Sequence, residues 1–390
     1  MGISSLKRRK ICIVITTRGN YAKMKSVIAC IQEDPELELQ LIVGGGAILA
    51  KYGDIGQSIK SNGIKIDCYI HFLVEGENPV TMAKSAGLAV TEFSTAFENL
   101  QPDVVIVIAD RFECLPIAMT ASYMNIPIAH VEGGEVSGSI DESIRHAITK
   151  LSHIHFPATQ DAARRIERMG EDQSTIFPVG ATSLDVISSL DLMNLDSLRE
   201  LQKTTGVGAL LNPADPYLVV IQHPVTTEYR ENLRHVNETL SAIDDLKINT
   251  FWIWPNMDAG SDGISKGIRI YRERKNPGFI RFFKSLPIEH YAPLLRNAKC
   301  IVGNSSSGIR EAAFLGVPSV NIGTRQAGRE RAGNVVDVDY DCEKIKAAII
   351  QEVNHGPYRP NYIYGDGKAG EKIVGQLKQY KFKIQKRINY

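Results

Sequence analysis

The chain has 390 residues, 43% hydrophobic and 23% charged, with a formal net charge of +1. That length favours two domains, and that composition supports packed cores rather than disorder. The near-neutral charge argues against a nucleic-acid binder, which carries a strong basic excess.

The basic run Lys7-Arg8-Arg9-Lys10 leads straight into an apolar segment and reads as a solvated lead-in. Ile11–Ile15 predicts a strand, about Tyr21–Gln32 a helix stopped near Pro35, and Leu39–Val43 a second strand ended by Gly44-Gly45-Gly46. Val104–Ile108 is a wholly apolar strand, and Ile126–Val131 is apolar except for His130. A helix is expected over Asp141–Ser152. After a less regular stretch, Tyr217–Ile221, Thr250–Trp254, Cys300–Val302 and Ser319–Ile322 read as four more strands. Leu233–Leu246, Tyr291–Asn297 and Ser306–Leu315 read as helices between them, and the tail near Gly370–Tyr380 as a last helix. Apolar strands joined by helices indicate parallel sheets covered on both faces. The expected architecture is α/β: two Rossmann-like, doubly wound domains, 1–188 and 189–368, with residues 369–390 as a C-terminal helix packing back on the first.

Cys12, Cys30, Cys68, Cys114, Cys300 and Cys342 are scattered, form no CxxC pair, and fit a reducing compartment. No long apolar segment backs the N-terminal basic residues, and no apolar run reaches the ~18 residues of a membrane span. A cytoplasmic protein is expected.

Ligands of open parallel sheets bind outside the carboxyl ends of the strands. The residues there are polar along the whole chain. The first half offers Thr17-Arg18, Asp110-Arg111, His130 and Glu132-Gly133-Gly134-Glu135. The second offers Gln222-His223-Pro224, Asn256, Asp258, Asn304-Ser305-Ser306-Ser307 and Thr324-Arg325. If the two rims face each other, they enclose a charged cleft.

Gly303-Asn304-Ser305-Ser306-Ser307-Gly308 joins a strand to a helix, and such a helix start suits a phosphate. It equally suits a plain Ser N-cap, with Glu311 on the surface. No Walker A or GxGxxG motif is present. Asp110 and Glu132 end consecutive strands and could share acid and base roles; Asp110 could instead pair with Arg111 or cap a helix. Asp141 reads as an ordinary first-turn acid, four residues from Arg145. His146, His153 and His155 match no zinc spacing, so no metal is expected. His223 reads as functional, and His290 as either a cap-region residue or a ligand. Trp252 and Trp254 alternate with Phe251 and Ile253 and read as core.

These residues resemble the hydrolysing UDP-N-acetylglucosamine 2-epimerases, most closely the epimerase half of the bifunctional animal epimerase/kinase. The most specific stretches are His130–Lys150, Gln222–Thr227, Pro255–Ser261, Gly303–Ser306 and Asn321–Gln326. The resemblance implies a GT-B-type fold and conversion of UDP-GlcNAc and water to N-acetylmannosamine and UDP, the first step toward sialic acid. It implies UDP contacts from Arg18, Arg111, His223, Asn256, His290, Ser305, Ser306, Glu311 and Arg325. It makes Asp110, Glu132 and Asp141 the catalytic carboxylates, with anti elimination to 2-acetamidoglucal and then syn hydration. It also implies a homodimer or homotetramer, a UDP-sugar partner, no cofactor, and neither membrane nor nucleic acid as partner.

Two departures stand out. Asn20 replaces an acidic residue usual before the Tyr, which would alter sugar contacts. Asp262-Gly263 follow Gly260-Ser261, where the animal enzyme has basic residues that bind CMP-sialic acid, so feedback control should be absent or different. Alternatives are hydrolysis of UDP-2,4-diacetamido-2,4,6-trideoxyglucose on the legionaminic acid route, the non-hydrolysing epimerase reaction, a GT-B glycosyltransferase, and a nucleotide-sugar sensor without activity.

Overall fold

A computed structural model describes residues 8–49, 55–75, 79–108, 110–136, 141–225, 228, 230–255 and 261–389. They fall into two units. The chain up to Val186 and its return from Gly365 make up the first, and Ile187–Tyr364 make up the second; Val136 groups with the second.

The first unit is a six-stranded sheet of β1 (Arg9–Ile15), β2 (Leu37–Gly44), β3 (Cys68–Ile70), β4 (Val104–Ile108), β5 (Ile128–Val131) and β6 (Ile154–Phe156). Its order is β3-β2-β1-β4-β5-β6, and every neighbouring pair is parallel. Helices α1 (Arg18–Glu33), α2 (Ile55–Ser61), α3 (Pro79–Leu100), α4 (Cys114–Tyr123), α5 (Asp141–Leu151), α6 (Gln160–Arg168) and α7 (Ser183–Ser188) follow in chain order. Strand side chains divide between two cores. Ile11, Ile13, Ile15, Ile106 and Ile108 pack with Met24, Val27 and Ile28 of α1. Cys12, Val14, Val105 and Val107 pack on the other face with Phe93, Phe97 and Ile117. Both faces are covered, so the strands are apolar throughout.

The second unit begins with α8 (Asp196–Thr204) and the two-residue β7 (Val207–Gly208). Its further strands are β8 (Tyr217–Ile221), β9 (Asn249–Ile253), β10 (Ile280–Phe283), β11 (Cys300–Gly303), β12 (Ser319–Ile322) and β13 (Val335–Val338). The order is β13-β12-β11-β8-β9-β10-β7, parallel except for the β7 edge. Apart from β7, this repeats the connectivity of the first sheet. Helices α9 (Asn232–Leu246), α10 (Ser261–Lys275), α11 (Ile288–Arg296), α12 (Glu311–Leu315) and α13 (Cys342–His355) complete it. Trp252 lies in its core, whereas Trp254 is half-buried and donates from Nε1 to Ser265 Oγ at 2.9 Å.

The terminal helix α14 (Ala369–Gln379) is shorter than the expected 369–390. It packs Ile373, Val374 and Leu377 into the α1 core, and Asp185 receives the Ala369 and Gly370 N–H groups at 2.9 and 2.7 Å. Beyond Gln379 the backbone turns extended at Tyr380. The tail is held by one side chain and one backbone bond here: His153 Nε2 lies 3.1 Å from the Ile384 carbonyl, and the Asn389 N–H donates to Gly170 O at 3.0 Å. No helix among the described residues is long and apolar enough to cross a membrane.

Glu171 fastens this tail. It meets Lys386 Nζ at 2.7 Å, Lys150 Nζ at 2.5 Å and His155 Nε2 at 3.1 Å, with its side chain 3% exposed. Burial alone would raise its pKa, but the hydrogen bonds from His155, Lys150 and Lys386 outweigh that and hold it at about 2. A carboxylate held below its unfolded pKa adds stability above the ordinary carboxylate range and loses it as pH falls toward the folded value. Glu171→Gln should therefore be less stable than wild type at pH 7 by on the order of 2–3 kcal/mol. The difference in urea unfolding free energy should shrink steadily from about pH 5 to pH 2. A gap that is flat with pH would refute the ion-pair account.

Candidate active site

Both sheets reverse their connectivity once, between β1 and β4 and between β8 and β11. At such a point the connections leave in opposite directions and open a crevice beyond the strand ends. Asp110 and Glu132 follow strands at or beside the first reversal, and His223, Ser305 and Ser306 follow the strands of the second, each set within its own unit.

In the first unit, Asp110 lies two residues beyond β4 and Glu132 directly follows β5, which is paired with β4 through Ile108 and Val131. Arg111 Nε lies 3.3 Å from Glu113 Oε2. Arg145 of α5, which is 1% exposed, sets its guanidinium on Asp110. Its other arm donates to the Glu135 carbonyl at 2.7 Å. Arg145 thus ties the acidic strand end to the loop after β5. Asp141 occupies the first turn of the same helix.

Glu132 is buried, and its Oε2 sits 2.6 Å from Lys23 Nζ of α1. Its backbone is left-handed, with φ of 61°. A non-glycine residue pays about 1 kcal/mol or more for that conformation, and such outliers concentrate at functional sites. The turn continues through Gly134, where a Cβ would lie 2.3 Å from the Ala162 carbonyl. His130, within β5, is fully buried, with Nδ1 3.1 Å from Thr149 Oγ1 of α5.

Arg18 opens α1 and is exposed. Asn20 is buried, and its Oδ1 accepts the hydroxyls of Thr16 and Thr17 at 2.8 and 2.9 Å. In this structure it braces the loop from inside. Cys12, Cys114 and Cys300 are buried, and burial pushes their thiols far up, as suits core residues.

In the second unit, His223 follows β8, Ser305 and Ser306 follow β11, and Arg325 follows β12. Burial, with Arg325 nearby, pushes the His223 pKa well below its ordinary value, so the imidazole is neutral. The expected helix Ser306–Leu315 is broken. A 3-10 turn covers Ser306–Gly308, and α12 is only Glu311–Leu315. A five-residue helix has little dipole, so any anion site here depends on individual donors. The turn's own hydrogen bonds use the N–H groups of Ser307, Gly308, Ile309 and Arg310, and leave those of Ser305 and Ser306 outside them. Tyr291 of α11 hydrogen-bonds Ser307 through its hydroxyl and props the turn.

His290, in α11, has Nδ1 3.1 Å from Ser197 Oγ of α8. Glu311 starts α12, and Asn256 lies outside the described residues. Asp262 falls in the first turn of α10, where an acid complements the helix's positive end. His153, His155 and His146 have separate partners: Ile128 N–H, Glu171 and Glu142. The one group of potential metal ligands among the described residues is Asp245, Cys342 and Glu343, far along the second unit from these strand ends in sequence.

Sequence patterns did not single out Lys23 or the tertiary role of Arg145. Both sit on helices, and their partners are 109 and 35 residues away. Only the position of Lys23 near the start of a helix that follows β1 could have hinted at it.

Two doubly wound units with polar strand ends at matching reversals have the architecture of the GT-B class. Solved structures agree in fold. The UDP-GlcNAc 2-epimerase from Neisseria meningitidis, bound to UDP-GlcNAc, matches with TM-score 0.80 at 17% identity over 95% of this chain and 100% of that one. The Methanocaldococcus jannaschii UDP-GlcNAc 2-epimerase, with UDP-GlcNAc and UDP, matches with TM-score 0.77 at 20% identity over 94% and 99%.

Residues 29–378 match the family model for UDP-N-acetylglucosamine 2-epimerase. A Legionella pneumophila protein named UDP-N,N'-diacetylbacillosamine 2-epimerase (hydrolyzing) is 34% identical over 95% of this chain and 96% of its own. A Neisseria meningitidis UDP-N-acetylglucosamine 2-epimerase is also 34% identical, over 92% and 91%. The chain belongs to the hydrolysing UDP-N-acetylglucosamine 2-epimerase family and is a UDP-sugar 2-epimerase.

Gly303 ends β11 with φ of 129°, and a Cβ there would lie 2.1 Å from the Ile221 carbonyl. Gly303→Ala should lose about 3 kcal/mol or more of stability, since both strain and a backbone clash act on it. Gly278→Ala, which meets nothing within 4 Å, serves as control. Equal thermal midpoints for the two variants would contradict the close approach.

Proposed function

We propose that the enzyme hydrolyses UDP-GlcNAc with inversion at C2, releasing N-acetylmannosamine and UDP. The observation that carries this reading is the pair of carboxylates at adjacent strand ends, Asp110 and Glu132, each held by its own cation. Proton transfer at carbon needs carboxylates fixed in place, and Arg145 and Lys23 supply the fixing.

The reaction has two stages. A base removes the proton from C2 while the C1–O bond to UDP breaks on the opposite face, leaving the 1,2-unsaturated sugar. Water then adds its hydroxyl to C1 and gives up its other proton, while an acid delivers a proton to C2 on the same face as the new C1–O bond, opposite the face from which the first proton left. Asp110, Glu132 and Asp141 are the candidates for these transfers. The proton at C2 is weakly acidic, so stabilising the departing diphosphate carries much of the catalysis. Ser305, Ser306, neutral His223 and Arg325 are the donors for that task, with Arg18, Arg111, Asn256, His290 and Glu311 as further contacts to UDP. Asp262 in place of a basic residue disfavours a second nucleotide phosphate near α10, which supports a different or absent feedback control.

A second reading is hydrolysis of the 2,4-diacetamido-2,4,6-trideoxy sugar nucleotide. The Legionella relative's name favours it, at the same 34% identity as the meningococcal UDP-GlcNAc enzyme. Proton NMR of the products separates the two. UDP-GlcNAc should yield free UDP and N-acetylmannosamine. Rapid turnover of the diacetamido sugar with none of UDP-GlcNAc would replace the first reading by the second. Asp110→Asn and Glu132→Gln should each lose about 100-fold or more in kcat. Both should bind UDP within about threefold of wild type by calorimetry, because the carboxylates act on the sugar. Near-normal turnover of either variant would remove that residue from the mechanism.

A further inference from the structure

We infer that Asn304 is the positioning residue of the UDP-holding strand ends. The inference rests on the proposal that this unit holds UDP. The β11–β8 ladder ends at the pair Gly303–Ile221. Asn304, fully buried, comes next, and its N–H still donates to the Ile221 carbonyl at 3.1 Å. Its side chain then takes over from the ladder. Oδ1 accepts the His223 N–H at 2.6 Å, and Nδ2 donates to the His223 carbonyl at 2.8 Å. A carboxamide has the donor–acceptor pattern of a peptide group, so it extends the sheet by one residue where the backbones have begun to part. Pro224 follows and has no N–H to continue the pairing.

The same residue reaches a third loop. The Asn304 carbonyl accepts from Gln326 Nε2 at 2.8 Å and Arg325 Nη1 at 3.2 Å. Gln326 is itself fixed, since its carbonyl accepts from Arg331 Nη2 at 3.0 Å, and Arg331 reaches Asp337 of β13. One buried residue therefore stitches together the loops that carry His223, Ser305-Ser306 and Arg325. No other side-chain type of this size supplies a donor and an acceptor side by side. Aspartate keeps the acceptor for the His223 N–H but sets a carboxylate oxygen against the His223 carbonyl.

Asn304→Asp and Asn304→Ala test this, the first being the isosteric change that preserves volume. UDP binding is measured by calorimetry at 10 °C on protein shown folded by circular dichroism, with kcat and KM for UDP-GlcNAc alongside. The Asp variant should weaken UDP binding about tenfold or more and raise KM, with secondary structure unchanged. The Ala variant, where it folds, should weaken binding at least as much. Gln326→Leu, which removes only the bond to the Asn304 backbone carbonyl, should weaken UDP binding less. Folded Asn304→Asp with a UDP affinity within twofold of wild type overturns the positioning role, even if its thermal midpoint falls. Wild-type protein that fails to bind UDP overturns the UDP assignment and this inference together; wild-type binding with an unaffected variant overturns the inference alone.

Discussion

A strand covered on both faces has no place for a polar side chain except its ends. That constraint governs both sheets here. Residues such as Ile13 and Val105 face opposite cores and are almost completely buried. A charge in the middle of either strand would need partners that the flanking helices do not offer, and an unpaired buried charge costs several kcal/mol. The exceptions follow the same rule. Arg281 lies within β10, and its guanidinium is taken up by the carbonyls of Gln202, Thr205 and Gly208. His155, in the middle of β6, is likewise paired, with Glu171. The carboxylates Asp110 and Glu132 lie just beyond the strand ends. There the reversal of connectivity between β1 and β4, and between β8 and β11, keeps the connecting helices apart.

This is also why so much of the fold is legible in the sequence. Val104–Ile108, Tyr217–Ile221 and Ser319–Ile322 are strands with the predicted bounds; the first two are unbroken apolar runs, which have no other good use in such a fold. The strands that escaped notice lack the pattern. β3 and β6 have three residues each, and β6 carries the buried His155. β10 is split by Arg281, and β13 is an edge strand with no fully buried residue. The helix after β11 was overextended for a different reason. Ser, Gly and Ile there permit a 3-10 turn as readily as an α-helix, and local composition does not choose between them.

The site was legible in its chemistry but not in its supports. Strand-end position found Asp110, Glu132, His223 and the Ser305-Ser306 turn. It could not find Arg145, which in one dimension is simply the residue four beyond Asp141. Only the folded unit brings its guanidinium to Asp110. The same holds for Lys23 on Glu132. A positive φ at Glu132 is likewise invisible in sequence, although the two glycines after it mark a tight turn. The left-handed backbone aims a carboxylate where a relaxed strand end would not, and Lys23 helps to hold it there.

The two units share one connectivity yet furnish their strand ends differently. Beside Arg18 and Arg111, the first carries the carboxylates Asp110 and Glu132, each with a cation from a helix. The second ends in neutral or cationic donors: a His223 that burial keeps uncharged, hydroxyls and N–H groups of Ser305 and Ser306, and Arg325. For the proposed reaction this division has a physical basis. Groups that take a proton from carbon must accept it, and groups that receive a diphosphate must donate to it. Separate folding units let each set be pre-organised by its own scaffold, the first through buried ion pairs and the second through Asn304. Under the proposed reaction, the cost of holding these groups in place is met by folding, before any substrate arrives.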